Sequence, residues 1–168
     1  MTDAPSPQRS FILPTVAAVA ALAAVIVAGV NEPELRRVDG DGWSIEVPRS
    51  WERRAPNLFV GPDRANVRVE VRAIPLPMAL FTDSTRRDLH ELPGYVLERE
   101  EERRRPDGLY THTLWGRYQH NTTPVAVVTG IYDAGEADKL IVTLTVVAGR
   151  LPENRAWFEA VLESVEPR

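Results

Sequence analysis

From Trp43 onward the apolar residues recur at every second position, a period that builds strands and leaves little room for an all-helical fold. The clearest run is Asn66 to Ile74, with Val67, Val69, Val71 and Ala73 on one side and Arg68, Glu70 and Arg72 on the other. One face of that strand is therefore expected to be buried and the other wet, until Pro75 and Pro77 stop it. "WSIEV" alternates in the same way, Trp43, Ile45 and Val47 against Ser44 and Glu46, and Pro48 ends the pairing because it has no N–H to donate. A short strand is expected at 57–61. Residues 125–133 and 140–148 differ: they are β-branched and apolar on both sides, the mark of central strands, with Gly135 in the turn between them.

Helical periodicity appears twice. Residues 82–92 open on three candidate caps, Thr82, Asp83 or Ser84, and end before Pro93-Gly94. The second run follows Pro152, suited to a first helical turn, and places Trp157, Phe158, Val161, Leu162 and Val165 on one stripe. Burying such a stripe contributes about 1.5–3 kcal/mol per fully buried large side chain. Between the helices, Pro106-Asp107-Gly108 predicts a hairpin turn joining 95–105 to 109–120. Its first arm carries Glu98, Arg99, Glu100, Glu101, Glu102, Arg103, Arg104 and Arg105, charged on both faces, and is expected to project into water. The fold class is α+β: a single antiparallel sheet of six or seven strands with flanking helices, one of them on the apolar face of the central strands.

Ahead of this domain, residues 11–30 carry no charge and are long enough to match the roughly 30 Å of a bilayer core. The expected organisation is a short tail at 1–10, a transmembrane signal anchor at 11–30, a polar linker at 31–41 and a folded domain at 42–168. The anchor's apolar run is longer than a signal peptide's usual hydrophobic region of about 7–15 residues, so retention is expected over cleavage near Val27-Ala28-Gly29, which would release a secreted domain. The linker, fully extended, would reach about 35 Å and keep the domain near the membrane. Single-pass insertion in a cytoplasmic membrane with the domain outside is the expected arrangement, an inverted anchor with a cytosolic domain the alternative.

Composition removes several function classes. Lys+Arg 20 against Asp+Glu 24 gives a net charge of −4 and no basic field for nucleic acid. With no cysteine there is no disulfide, thiolate ligand, thiol nucleophile or lipidated cysteine.

The opening "GWSIEVPRSW" and the closing "WFEAVLESV" resemble the PsbP-like α/β/α sandwich of small exported bacterial proteins, including the LpqN-type family. Trp43, Pro48 and Trp51 match its aromatic-led strand, proline and following tryptophan, and the resemblance spans roughly residues 40–166. It implies a fold and not a reaction. In it Trp43, Pro48, Trp51, Trp157 and Phe158 act as structural anchors. The chain departs from the lipoprotein members in having a hydrophobic segment where they have a lipidated cysteine.

No catalytic, cofactor-binding or metal-binding set emerges. His112 and His120 share one strand parity, but eight residues of strand separate them by about 27 Å, too far to share a metal; both read as exposed hairpin histidines. No serine sits in a Gly-x-Ser-x-Gly context and no phosphate-binding glycine loop is present. "NTT" at Asn121 reads as loop polarity. The expectation is a non-enzymatic, membrane-anchored binding or accessory domain at the outer face of a bacterial cytoplasmic membrane, with Glu98–Arg105 docking an envelope protein or lipid. The alternative is an envelope hydrolase with a site assembled around His112, Tyr118 and Glu100.

Overall fold

The computed structural model describes residues 34–135 and 138–168. The tail at 1–10 and the span at 11–30 lie outside the described residues. Among the described residues no helix is long and apolar enough to cross a membrane. The elements run β1 (Leu35–Gly40), β2 (Trp43–Pro48), β3 (Glu52–Ala55), β4 (Leu58–Val60), β5 (Asn66–Ala73), α1 (Met78–His90), β6 (Val96–Arg104), β7 (Tyr110–His120), β8 (Thr123–Asp133), β9 (Asp138–Val147), α2 (Leu151–Glu163) and β10 (Glu166–Pro167).

The strands form two sheets where one was expected. Seven strands pair antiparallel in the order β3-β4-β5-β9-β8-β7-β6, and β1-β2-β10 form a separate three-stranded sheet. The strand that opens with Trp43 belongs to the small sheet. Its backbone is paired by Leu35–Gly40, part of the segment expected to be linker, with Arg37 opposite Glu46 and Val38 opposite Ile45. A linker composition conceals β1 because it is an edge strand that turns only Val38 toward the core. β3, the further strand, is hidden by the same polarity: Glu52, Arg53 and Arg54 are all exposed.

Why two covers are needed follows from β8 and β9. Ala126 through Tyr132 are buried without interruption, and so are Lys139 through Val142, so both faces of the sheet's middle must be roofed. On one face Val67, Val69, Ala126, Val128, Val142 and Leu144 meet Ile45 and Val47 of the small sheet and Trp157, Phe158, Val161 and Leu162 of α2 in one apolar cluster. On the other, Leu114, Ile131 and Ile141 meet Phe81 of α1. α1 begins at Met78, four residues before the expected start, with Pro77 at its N-cap and no side-chain cap. Thr82, expected as a cap, lies inside the helix and is buried against the sheet.

Aromatic packing joins the layers. Trp51 meets Trp157 edge-on with ring centroids 4.7 Å apart, and Trp157 meets Phe158 at 4.1 Å; such pairs add about 0.5–1.5 kcal/mol beyond their buried area. Trp43 and Trp51 are 4% and 5% exposed. Pro48, at the end of β2, accepts the Trp51 N–H at 3.0 Å. The C-terminus of α2 is fastened to both sheets: the Tyr132 hydroxyl donates to the Leu162 carbonyl at 2.8 Å, and the Glu46 N–H donates to Ser164 Oγ at 2.8 Å.

Gly61 lies so close to Trp51 that a Cβ there would sit 2.3 Å from the indole Cε2. G61A should therefore cost about 1–3 kcal/mol by overpacking, read as a lower urea midpoint. G149A is the control, since a Cβ at Gly149 meets nothing within 4 Å; equal midpoints for the two variants would contradict the packing.

Candidate functional site

The charged run becomes β6, the edge strand of the large sheet, and not an arm standing free in water. Alternation along an edge strand sends its side chains to opposite faces. Glu100 and Glu102 stand on the α1 side, opposite Leu114 and His112 in register. Arg99, Glu101 and Arg103 stand on the α2 side. A bulge between Leu97 and Arg99 resets the pairing, and Glu98, at the bulge, pairs with Arg117 at 3.0 Å. Arg104, in register with Tyr110, is exposed.

The α1 side holds a polar cluster. His112 is buried at 4% exposure, which corrects its reading as an exposed hairpin residue. β7 places it beneath the plane of α1, where its Nε2 lies 2.6 Å from Glu100 and its Nδ1 3.3 Å from Glu102. Arg86 of α1 reaches down to the same Glu100 and also holds Asp83 at 2.5 Å. Burial alone would raise the Glu100 carboxyl, but the Arg86 guanidinium and His112 outweigh it and hold its pKa below the ordinary carboxylate range. Two of the three groups expected in a hydrolase site, Glu100 and His112, are thus in contact. Tyr118 is six residues along β7, about 20 Å away at a strand's rise, and does not join them. His120 is exposed at that far end.

The α2 side holds a groove of about 360 Å³ between β6 and the helix. Arg99, Glu101, Arg103, Thr111 and Thr113 line its sheet wall, Glu159, Ala160 and Glu163 its helix wall, and Trp115 its floor. The guanidinia of Arg99 and Arg155 lie 5.5 and 5.4 Å from the Trp115 ring. The indole N–H beneath them is buried and without a partner. Arg103 bridges the groove to Glu163 at 2.6 Å. Arg105 stands at the end of the groove, where it donates to the Val165 carbonyl at 2.6 Å and meets Asp107 at 2.9 Å, and so pins the chain after α2. Of the eight residues of the run, Glu100 and Arg105 thus serve the fold, while Arg99, Glu101 and Arg103 face an open concavity.

Sequence reasoning did not find Arg86, because it sits on another element, nor the pair of Lys139 with Asp133 at 3.0 Å, which puts the chain's one lysine in the core. Trp115 carried a findable signal: it shares strand parity with Thr111 and Thr113, opposite to His112 and Leu114. Among the described residues no group of three or more His, Asp or Glu is arranged to hold a metal ion.

The architecture, a twisted antiparallel sheet roofed by a small sheet and helix on one face and a helix on the other, is the PsbP-like fold. The cyanobacterial PsbP protein of Synechocystis sp. PCC 6803 superposes with a TM-score of 0.63 at 18% identity, over 83% of this chain and 96% of its own. LpqN of Mycobacterium tuberculosis, a protein involved in cell envelope biogenesis, gives 0.60 at 17%, over 86% and 95%. A Pseudomonas aeruginosa protein of unknown function gives 0.60 at 20%, over 80% and 98%. No protein-family model and no curated protein matches the sequence. These identities fix the fold alone.

A carboxyl with a depressed folded pKa contributes stability that is fully present above its unfolded value near 4.3 and is lost as the pH falls through the folded value. E100Q removes that contribution. Its urea midpoint should lie below the wild type's at about pH 6, and the gap should close as the pH is lowered below about 4.3. A gap of constant size across that window would mean that Glu100 is not coupled to folding.

Proposed function

We propose that this chain is a non-catalytic binding or accessory domain, carried on the 11–30 segment at the outer face of a bacterial cytoplasmic membrane, which docks an envelope protein or lipid through the groove beside β6. The observation that carries the reading is the edge strand itself. It presents Arg99, Glu101 and Arg103 into a concavity with an aromatic floor, and every ion pair there is partly exposed. Exposed pairs of this kind are worth about 0–1 kcal/mol, so exchanging them for a partner's charges costs little. Alternating charge also gives a partner a register to match, which raises specificity and encounter rate more than affinity. The long uncharged segment supports a membrane location. The likeness in fold to a protein of cell envelope biogenesis supports an envelope setting.

The test is photo-cross-linking in cells from Glu101 and from Arg103, positions that the fold does not use, with Glu52 on the opposite edge as control. One envelope protein or lipid should be captured at both groove positions and not at the control. R99E/R103E should abolish that capture while leaving the stability within about 0.5 kcal/mol of wild type, read from the urea midpoint. Capture indifferent to the double charge reversal would remove the groove from the proposal. A carboxy-terminal tag protected from external protease in intact cells would remove the outer-face location.

A further inference from the structure

The face of the large sheet under α1 is only partly roofed. Beyond the buried Val127 the cover thins along the register: Tyr118 stands opposite Val125, and Val125 opposite Val147. These three are half-buried. At the rim stand the β7–β8 turn and, across the sheet, the turn that precedes β5. Together they enclose a cavity of about 460 Å³.

That second turn is unusual. Asp63 and Arg64 are consecutive non-glycine residues in the left-handed region, φ 54° and 61°, a conformation that costs of order 1 kcal/mol each and persists only where the surroundings hold it. Here Gly61 N–H donates to the Ala65 carbonyl at 2.8 Å and Ala65 N–H to the Pro62 carbonyl at 2.9 Å. The consequence is a separation of charge. Asp63 turns to Arg150, at 3.7 Å, and Arg64 turns to the cavity. No carboxylate lines that cavity, although the chain carries a net charge of −4. Arg68, which shares the open face of β5 with Asn66, is likewise without an ion pair among the described residues. An unpaired guanidinium keeps five donors in a planar fork suited to a carboxylate or phosphate. The Tyr118 hydroxyl and the His120 ring supply polar groups from the opposite rim, and Val125 and Val147 supply an apolar floor between them.

We infer that this cavity binds a small organic anion, a carboxylate or phosphate monoester on an apolar body, with Arg64 taking the anionic oxygens and Val125 and Val147 the body. The site is on the opposite face of the sheet from the groove and stands independently of the function proposed for it. Its ligand chemistry has two sources, a free organic acid or a lipid head group.

The test uses the purified full-length chain in micelles, with amide chemical shifts read as phenyl phosphate, benzoate, benzamide or inorganic phosphate is added. Phenyl phosphate and benzoate should shift Tyr118, Val125 and Val147 saturably, inorganic phosphate more weakly and neutral benzamide not at all. R64Q should weaken the two anions about tenfold, the size of one charge-assisted contact, without moving amides elsewhere. Dihexanoyl phosphatidate binding tighter than phenyl phosphate would make a lipid head group the source, and weaker binding a free organic anion. The inference is overturned if neither anion shifts these amides saturably, if benzamide binds as well as benzoate, or if R64Q binds like the wild type.

Discussion

The two-sided burial of β8 and β9 is the constraint on which the rest of this fold depends. A strand apolar on both faces forces a cover on each side of the sheet, and here each roof is shorter than the sheet it covers. α2 and the small sheet cover β9, β8 and Trp115 of β7 but leave the β6 edge open, which makes the groove over Trp115. α1 covers Leu114, Ile131 and Ile141 but stops before Val125, which leaves the second cavity. Both concavities are remainders of one packing problem, and both therefore have strand floors with long polar side chains at their rims. Floors built on paired strands suit recognition, since little ordering entropy is lost there on binding.

β6 meets a second constraint, the danger of an unpaired edge. An edge strand of nine residues offers free N–H and C=O groups to any other strand, and charge is the usual protection. Charge on both faces would waste half of it on solvent. In this chain the α1-facing half is put to use, Glu100 clamping His112 of β7 to Arg86 of α1, while Arg105 fastens the segment after α2. The residues left over on the other parity keep the edge soluble and form the groove wall. Edge protection alone explains why the strand is charged; it does not explain the tryptophan beneath the groove with Arg99 and Arg155 over its ring.

How much of this was legible in the sequence depended on whether a residue's partner was local. Period two marked β2 and β5, runs of β-branched apolar residues marked β8 and β9, the stripe Trp157–Phe158–Val161–Leu162 marked α2, and Asp107-Gly108 marked the β6–β7 turn, because each signal lies within one element. The sheet to which β2 belongs was not legible, since Trp43 to Val47 read the same whether paired by β5 or by β1. β1 itself needs only Val38 inward and so carries no period to detect. α1 starts early because Met78, Leu80 and Phe81 follow two prolines in a stretch that reads as a strand exit, and only the apolar bed of Leu114 and Ile131 draws it into a helix. The same limit hid His112: its burial is decided by packing across the sheet, and its partner Glu100 is held in turn by Arg86, from another element fourteen residues away.

Charge placement gives the two faces different characters. Most arginines here are neutralised within a few ångströms, Arg37 by Glu166, Arg72 by Glu70, Arg86 by Glu100, Arg103 by Glu163 and Arg117 by Glu98. An acidic chain with such pairing presents little net field to a partner, so recognition at the groove must come from matching an alternating pattern at short range. The Arg64 rim is the opposite case: a cation without an ion pair among the described residues, beside an apolar floor. Field lines converge on such a spot, and a low-dielectric wall strengthens them. One face is thereby suited to an extended partner that carries both signs of charge, the other to a compact one that carries only negative charge.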